Sequence, residues 1–468
     1  MIVMKFGGSS VGNADRMRIV CALVAKARHR RPCIVLSAMA KTTDALFAAA
    51  RTARTGDGEA ALRLVEPAFE LAVATATTAL AAPEATLATI AVLREEVCVL
   101  LRGTALLREL TPRTCDAIVA HGERISTALL TAMLGEFGVT TVEVDARGVI
   151  RTDDRFGNAR PDRDAIKALA AEHIAPALGR GEVVVTQGYV GGSAQGFTTT
   201  LGRGGSDWSA ALLGRALGAE EVQIWTDVEG VLTADPRTVP GARPVPVLSP
   251  AEAAELAAFG ARVLHPATIQ PALEAGIPVT VRHTLIPDGA FTTIDPGRHQ
   301  AARGVAALAS RGPVTVLTMT STRMLAAAGY LSRLFAVFGE LDICVDLVVT
   351  AEVSVACTVE PDAPIDRLIT ALEGLARVEV AADRAIVVAV GEGLRRTPMV
   401  IERACRALAP ITPELLCMGG NERNLSFVVR QAEVDGAIRR LHDEFFTTVV
   451  DPTRDLAAGD RATSEAAS

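Results

Sequence analysis

Ile2-Val3-Met4-Lys5-Phe6-Gly7-Gly8-Ser9-Ser10-Val11 opens the chain, and Cys33-Ile34-Val35-Leu36-Ser37-Ala38 follows after one helical interval. The first run is a short apolar strand that stops at a glycine turn. Asn13, a favourable N-cap, then starts a helix with Met17, Val20, Val24 and Ala27 on one face. That helix ends in Lys26, Arg28, Arg30 and Arg31 before Pro32, and cations suit the negative end of a helix. The unbroken apolar run from Cys33 to Ala38 predicts a strand buried on both faces, as in a parallel sheet. Strand, helix, strand, with glycine just after the first strand, is an α/β beginning.

Outward from there the α/β rhythm continues. Residues 45–138 are rich in Ala and Leu and read as packing helices, broken at Gly56-Asp57-Gly58, Pro83 and Pro112. Strands are predicted at 139–145, 182–187, 222–226 and 278–282, with helices at 161–178, 206–217 and 251–259. The last helix opens with Ser249-Pro250-Ala251-Glu252, a capping box with proline in the first turn. Residues 1–290 therefore predict a mostly parallel sheet with helices on both faces. Residues 291–312, rich in Gly, Arg and Ala, read as a linker. From Val314 the order becomes strand (314–319), helix (324–338), strand (343–349), strand (353–359) and helix (364–374). Strand (385–390), helix (397–407), strands (414–418, 425–430) and helix (433–444) repeat it. Two units of about 70 residues in the same order predict an internal duplication of α+β domains, at 313–384 and 385–450. The small, polar residues 451–468 read as a disordered tail.

Composition excludes several functions. The 468 residues are 49% hydrophobic and 22% charged, which fits folded domains and not a disordered chain. Lys plus Arg is 47 against 54 for Asp plus Glu, so a net charge of −7 offers no broad attraction to a phosphate backbone. With Phe 13, Trp 2 and Tyr 2 there is no stacking platform for single strands, and no nucleic-acid partner is expected. The eight cysteines (21, 33, 98, 115, 344, 357, 405, 417) form no Cys-x-x-Cys and read as buried thiols of a reducing cytoplasm, with no metal site. The N-terminus turns to glycine at once, unlike a signal peptide. The uncharged stretch Val183–Gly202 holds five glycines, unlike a membrane helix, so no membrane partner is expected.

Three segments put glycine and charge where a strand meets a helix. In Lys5-Phe6-Gly7-Gly8-Ser9-Ser10, the glycines let backbone amides approach an anion, and Lys5 stands beside them as a phosphate contact. In Thr198-Thr199-Thr200-Leu201-Gly202-Arg203-Gly204-Gly205-Ser206-Asp207, a glycine turn feeds a helix N-terminus, where amides and the positive helix end face an anion. Arg203 adds a fork suited to carboxylate or phosphate, while Asp207 either caps the helix or joins the site. No Walker A motif and no dinucleotide fingerprint is present. In His121-Gly122-Glu123-Arg124, Glu123 either stabilises a first helical turn or holds a substrate ammonium, and His121 reads as structural.

Together these blocks resemble the aspartokinases, within them the lysine-sensitive monofunctional type. Lys5-Phe6-Gly7-Gly8-Ser9-Ser10-Val11, His121-Gly122-Glu123, Arg151-Thr152-Asp153-Asp154-Arg155-Phe156-Gly157 and Thr198–Asp207 match in the family's order. Trp225-Thr226-Asp227-Val228-Glu229-Gly230, Asp235-Pro236-Arg237 and Phe259-Gly260-Ala261-Arg262-Val263-Leu264-His265-Pro266 follow. The resemblance covers residues 2 to about 447. It implies an amino-acid kinase fold, two ACT-type regulatory domains, and assembly as a homodimer or tetramer through them. It also implies transfer of the ATP γ-phosphoryl group, with Mg²⁺, to the side-chain carboxylate of L-aspartate. By the same resemblance Lys5 and Asp207 are catalytic, and Gly7, Gly8, Ser9, Thr226, Asp227, Leu232, Arg237 and Arg262 face the nucleotide. Arg203 holds the α-carboxylate of aspartate and Glu123 its amino group; Ser37, Thr43, Gly204, Gly205 and Ser206 line the pocket.

The resemblance further implies L-lysine as effector. Backbone at Gly329, Tyr330 and Leu331 would hold its carboxylate, Asp346 with Glu352 would face its ammonium ends, and Met324, Val345 and Thr350 would line its stem. Five positions depart from the family pattern. Ser9 stands where Thr is usual, Leu232 where Tyr is common, and Arg262 replaces Lys. Cys344 and Ala351 replace serines at the rim of the effector site. Two other readings remain: a kinase for another amino acid, or a non-catalytic amino-acid sensor. Length leaves almost no chain after residue 447 for a fused dehydrogenase.

Overall fold

Alternate residues of the opening strand, β1 (Ile2–Phe6), enter different cores: Ile2, Met4 and Phe6 join one cluster and Val3 the other. Such a strand needs cover on both faces, which explains why its sequence is apolar throughout. The computed structural model describes residues 1–260, 264, 266–297, 304–418 and 420–447. Within these it divides into two units. The second unit takes Leu232–Arg243, residues 258–260 and everything described from 304 onward, and the first unit takes the rest.

In the first unit β1 is followed by α1 (Ala14–Ala27), β2 (Pro32–Leu36), α2 (Thr42–Arg54), α3 (Gly58–Ala79), α4 (Glu84–Leu107), α5 (Pro112–Val119) and α6 (His121–Glu136). Next come β3 (Thr141–Val144), β4 (Arg151–Thr152), α7 (Arg163–His173), α8 (Ala175–Gly179), β5 (Val183–Gln187), β6 (Val190–Ser193) and β7 (Thr198–Thr200). The unit continues through α9 (Gly205–Leu217), β8 (Glu221–Thr226), β9 (Val247–Leu248), α10 (Pro250–Ala258), α11 (Pro266–Glu274), β10 (Val279–His283) and β11 (Thr292–Ile294).

One eight-stranded sheet has the order β3-β5-β2-β1-β8-β10-β11-β9. Only the β10–β11 pair is antiparallel. Helices α1, α3, α4 and α6 pack on the face of Ile2, Met4 and Phe6, and α7, α9 and α11 on the face of Val3. The Asn13 side chain accepts the Arg16 N–H at 3.0 Å, and Ser249 and Glu252 exchange bonds of 2.8 and 3.1 Å as a capping box.

Several features differ from the sequence reading. The stretch 161–178 is two helices, α7 and α8. Residues 151–152, 190–193 and 198–200 form a small separate sheet of order β4-β6-β7. The cysteines are all free but not all buried: Cys21, Cys33, Cys98 and Cys357 are, whereas Cys344 and Cys405 are exposed.

The second unit is built on β12 (Ala307–Thr320), α12 (Tyr330–Glu340), β13 (Val345–Thr350), β14 (Ser354–Val359), α13 (Ile365–Leu372) and β15 (Arg377–Val390). It closes with α14 (Val400–Ala407), β16 (Leu415–Cys417), β17 (Asn424–Arg430) and α15 (Val434–His442). The two repeats share one six-stranded sheet, β13-β14-β12-β15-β17-β16, whose central strands are each 14 residues long. Residues 292–294 (β11) and 307–312 (β12), expected in a linker, are thus strands, and residues 377–384 extend β15 beyond its predicted start. The expected tail, 451–468, lies outside the described residues.

Candidate active site

The C-terminal ends of β1 and β2, the first turn of α6 and the N-terminus of α9 converge on one cavity of about 600 Å³. From β1 comes Lys5, nearly buried, whose Nζ lies 2.6 Å from Asp207 Oδ1. The turn after β1 is held by the Gly7 N–H, which donates to the Trp225 carbonyl at 3.0 Å. Gly8 is required there, because a Cβ at this position would lie 2.7 Å from the Ala38 carbonyl oxygen.

Glu123 enters from α6 and is 3% exposed. Its Oε1 accepts the Ala38 N–H at 3.1 Å, while its buried Oε2 has no partner among the described residues. Burial pushes its carboxyl up to about 8, against smaller lowering effects from backbone bonds. A buried carboxylate oxygen without a donor costs free energy that an incoming ammonium would recover. Gly122 lets α6 approach so closely, since a Cβ there would meet Ala38 Cβ at 2.8 Å.

The third wall is the turn before α9. Gly202 and Gly204 have φ of +78° and +73°, conformations that favour glycine, and Gly204 caps α9. First-turn amides of α9 thereby face the cavity, next to Ser206 and Asp207. Arg203 is exposed and lines the same space.

Of the expected site residues, Lys5, Gly8, Ser37, Thr43, Glu123, Arg203, Gly204, Gly205, Ser206 and Asp207 all line this cavity. Gly7 and Ser9 flank it in the β1 turn. Thr226 ends β8, the strand beside β1, and Asp227 follows it, with Thr226 Oγ1 donating to Asp227 Oδ1 at 3.2 Å. Leu232 and Arg237 belong to the second unit, where Arg237 pairs with Asp235. Arg262 lies outside the described residues.

Two residues escaped the sequence reading. Tyr189 lines the cavity with φ of +67°, and its phenol is pushed above the ordinary range by burial. Asp116, 2% exposed, accepts the Gly157 N–H (2.8 Å), the Thr200 N–H (2.9 Å) and the Thr200 hydroxyl (2.8 Å). It ties the strand before Arg203 to the loop carrying Gly157, another cavity residue. Its partners lie far along the chain, so no local pattern marked it. His121 does not line this cavity. Its Nε2 meets Glu96 at 2.9 Å and its Nδ1 meets the Ala117 carbonyl at 2.9 Å.

The expected effector residues lie in the first half of the second unit. Gly329 (φ +75°) caps α12, and Met324, Tyr330 and Val345 pack on one core. The Tyr330 hydroxyl donates to the Leu375 carbonyl at 2.7 Å. Cys344, Leu331, Thr350 and Glu352 are exposed. Asp346 is held by Arg311 at 2.8 Å, with Glu360 on the same guanidinium, so it does not stand free for an ammonium.

The amino acid kinase family matches residues 1–283, and an ACT domain matches 387–445. Aspartokinase 1 of Arabidopsis thaliana chloroplasts is 38% identical over 460 residues, 95% of this chain and 80% of that one. The crystal structure of Escherichia coli aspartokinase III with lysine and aspartate is similar at 38% identity and TM-score 0.79, covering 95% of this chain and 99% of that one. The same enzyme with aspartate and ADP gives 36% identity and TM-score 0.77, covering 95% and 100%. Amino-acid kinase sheet, ACT-containing second unit and full-length similarity agree: this chain belongs to the aspartokinases, within the amino acid kinase family.

Proposed function

We propose that the chain is an aspartate kinase that transfers the ATP γ-phosphoryl group to the side-chain carboxylate of L-aspartate, giving 4-phospho-L-aspartate and ADP. The unpaired Glu123 oxygen in the same cavity as Arg203 and the Lys5–Asp207 pair carries this reading. An α-amino acid needs one anion for its ammonium and one fork for its α-carboxylate, and Glu123 and Arg203 supply them. The remaining carboxylate is then directed to Lys5 and the α9 amides.

A carboxylate nucleophile is already ionised at neutral pH, so no general base is required. Its oxygen forms the new bond to phosphorus while the bond to the ADP oxygen breaks. Catalysis consists of bringing two anions together and stabilising the spread charge. Lys5 does this as a point charge on the transferring group, with Asp207 fixing its ammonium. The first turn of α9 adds oriented amides. Mg²⁺ needs few protein ligands when it travels on phosphate oxygens and water, and the carboxylate of Asp207 beside Lys5 suits that role. When bound, the ion neutralises phosphate charge.

Feedback by L-lysine is part of the proposal, with an effector site formed around Met324, Gly329, Tyr330, Leu331, Cys344, Val345, Asp346, Thr350 and Glu352. The unit comprises two regulatory domains, near 313–384 and 385–450, after a kinase domain; the expected linker shortens, because β11 (Thr292–Ile294) joins the kinase sheet and residues 307–312 belong to β12. Copies assemble through this unit, where Leu331, Val348 and Val353 are exposed. Among the described residues no helix is long and apolar enough to cross a membrane. We place the enzyme in the cytoplasm, where free thiols persist and ATP is supplied. Steady-state ADP formation tests the whole reading: turnover requires aspartate, and L-lysine inhibits where L-threonine and L-methionine at equal concentration do not. No aspartate-dependent ADP release would overturn it.

A further inference from the structure

We propose that Asp116 is a positioning residue for aspartate binding: from outside the cavity it fixes the turn that carries Arg203, so that the guanidinium fork stands ready for the substrate α-carboxylate. This rests on the assignment of Arg203 to that carboxylate. The turn needs an outside anchor, because Arg203 is exposed and stands between Gly202 (φ +78°) and Gly204 (φ +73°), where the backbone is most free. A fork on such a turn loses affinity to every orientation it can sample. Asp116 supplies the anchor just before the turn. Its Oδ2 accepts the Thr200 N–H at 2.9 Å and the Gly157 N–H at 2.8 Å, and its Oδ1 accepts the Thr200 hydroxyl at 2.8 Å. One carboxylate thereby clamps the end of β7 beside the loop of residues 157–159. The Ala159 N–H continues the pairing, donating to the Thr200 carbonyl at 2.9 Å. A Cβ at Gly202 would lie 2.8 Å from Asn158 Oδ1, so the clamped loop is also the wall against which the turn rests. Gly157, Gly202 and Arg203 line the cavity, and Asp116 does not.

A carboxylate is a costly choice for packing alone. Asp116 is buried, and among the described residues no cation pairs with it. Three donors converging on two oxygens suit the ionised form, and charge-assisted bonds are about twice as strong as neutral ones. The same helix grips the region a second time, independently of the carboxylate. Arg113 of α5 covers the Phe197 ring at 4.7 Å, and Phe156 meets that ring edge-on at 6.5 Å. The fold around the turn therefore has support that a change at Asp116 leaves in place.

Steady-state kinetics on the full chain test this, with urea unfolding in parallel. Asp116→Ala leaves two buried amides unpaired and frees the turn, so KM for aspartate is expected to rise about tenfold or more. KM for ATP and kcat stay within about twofold, since neither depends on the fork. Asp116→Asn keeps one oxygen for both amides, and the rise falls back to about threefold. Thr200→Val removes only the hydroxyl bond: unfolding weakens, but KM for aspartate stays within about twofold. Should Asp116→Ala fail to fold, the Asp116→Asn and Thr200→Val pair still decides, by a rise in the first and none in the second. In an Arg203→Lys background, Asp116→Ala adds less than about twofold, because the fork it positions is gone. Unchanged KM in the folded Asp116 variants, an equal rise in Thr200→Val, or rises that multiply in the double variant would each overturn the proposal. A wild-type KM for aspartate in Arg203→Lys alone would instead overturn the assignment of Arg203 on which it rests.

Discussion

Lys5, Arg203 and Glu123 divide the work of one cavity, and each division has its own kinetic signature. Lys5 acts on charge that develops during transfer. Lys5→Ala is therefore predicted to lower kcat by about 10²-fold or more while circular dichroism is unchanged. Turnover within threefold of wild type would remove Lys5 from the chemistry. Arg203→Lys keeps a charge and loses the fork, so KM for aspartate rises about tenfold, equivalent to about 1.4 kcal/mol, with a smaller change for ATP. A change confined to ATP would reassign Arg203 to phosphate. Glu123 is held near pH 8 by burial in the free site. Below that pH it is protonated and must lose its proton before it can bind an ammonium. KM for aspartate is thus predicted to rise as pH falls below about 8, up to tenfold per unit. In Glu123→Gln that slope disappears; a flat wild-type profile from pH 6 to 9 would contradict the ammonium assignment.

At the scale of elements, the glycine turns are what bring these side chains together. Gly8→Ala would place a methyl 2.7 Å from the Ala38 carbonyl oxygen, against backbone that cannot swing away. The expected result is a loss of about 1–3 kcal/mol in urea unfolding, with kcat falling as well. Full stability and activity would mean that the β1 turn is not under this constraint. The strands that bear the site were legible because burial on both faces writes continuous apolar runs, as in Cys33–Ala38. The cavity was legible for a similar reason: Lys5, Glu123 and Arg203 each sit beside glycines at a strand or helix end. The β4-β6-β7 sheet was hidden because its strands are only two to four residues long and rich in Gly and Thr. Residues 377–384 carry Arg377, Glu379, Asp383 and Arg384, and their charges concealed a strand fixed by pairing with β12. Asp116 and Tyr189 act through contacts distant in sequence, which no local pattern records.

For the whole molecule, the two repeats keep separate cores but share one sheet, so an effector bound to one repeat acts on a continuous backbone ladder. Asp346 is already engaged by Arg311, and lysine must take over that carboxylate to bind as proposed. Asp346→Ala is predicted to raise the lysine concentration for half-inhibition at least tenfold, about 1.4 kcal/mol of coupling, in steady-state assays. Unaltered lysine sensitivity would place the effector elsewhere. The central claim, phosphorylation of aspartate at its side chain, is tested most directly by trapping the acyl phosphate with hydroxylamine. Parallel reactions contain ATP, Mg²⁺ and either aspartate, glutamate or N-acetylglutamate. The account predicts the β-hydroxamate of aspartate and no trapped product from the other two. An α-hydroxamate, or a hydroxamate of glutamate or N-acetylglutamate, would contradict it.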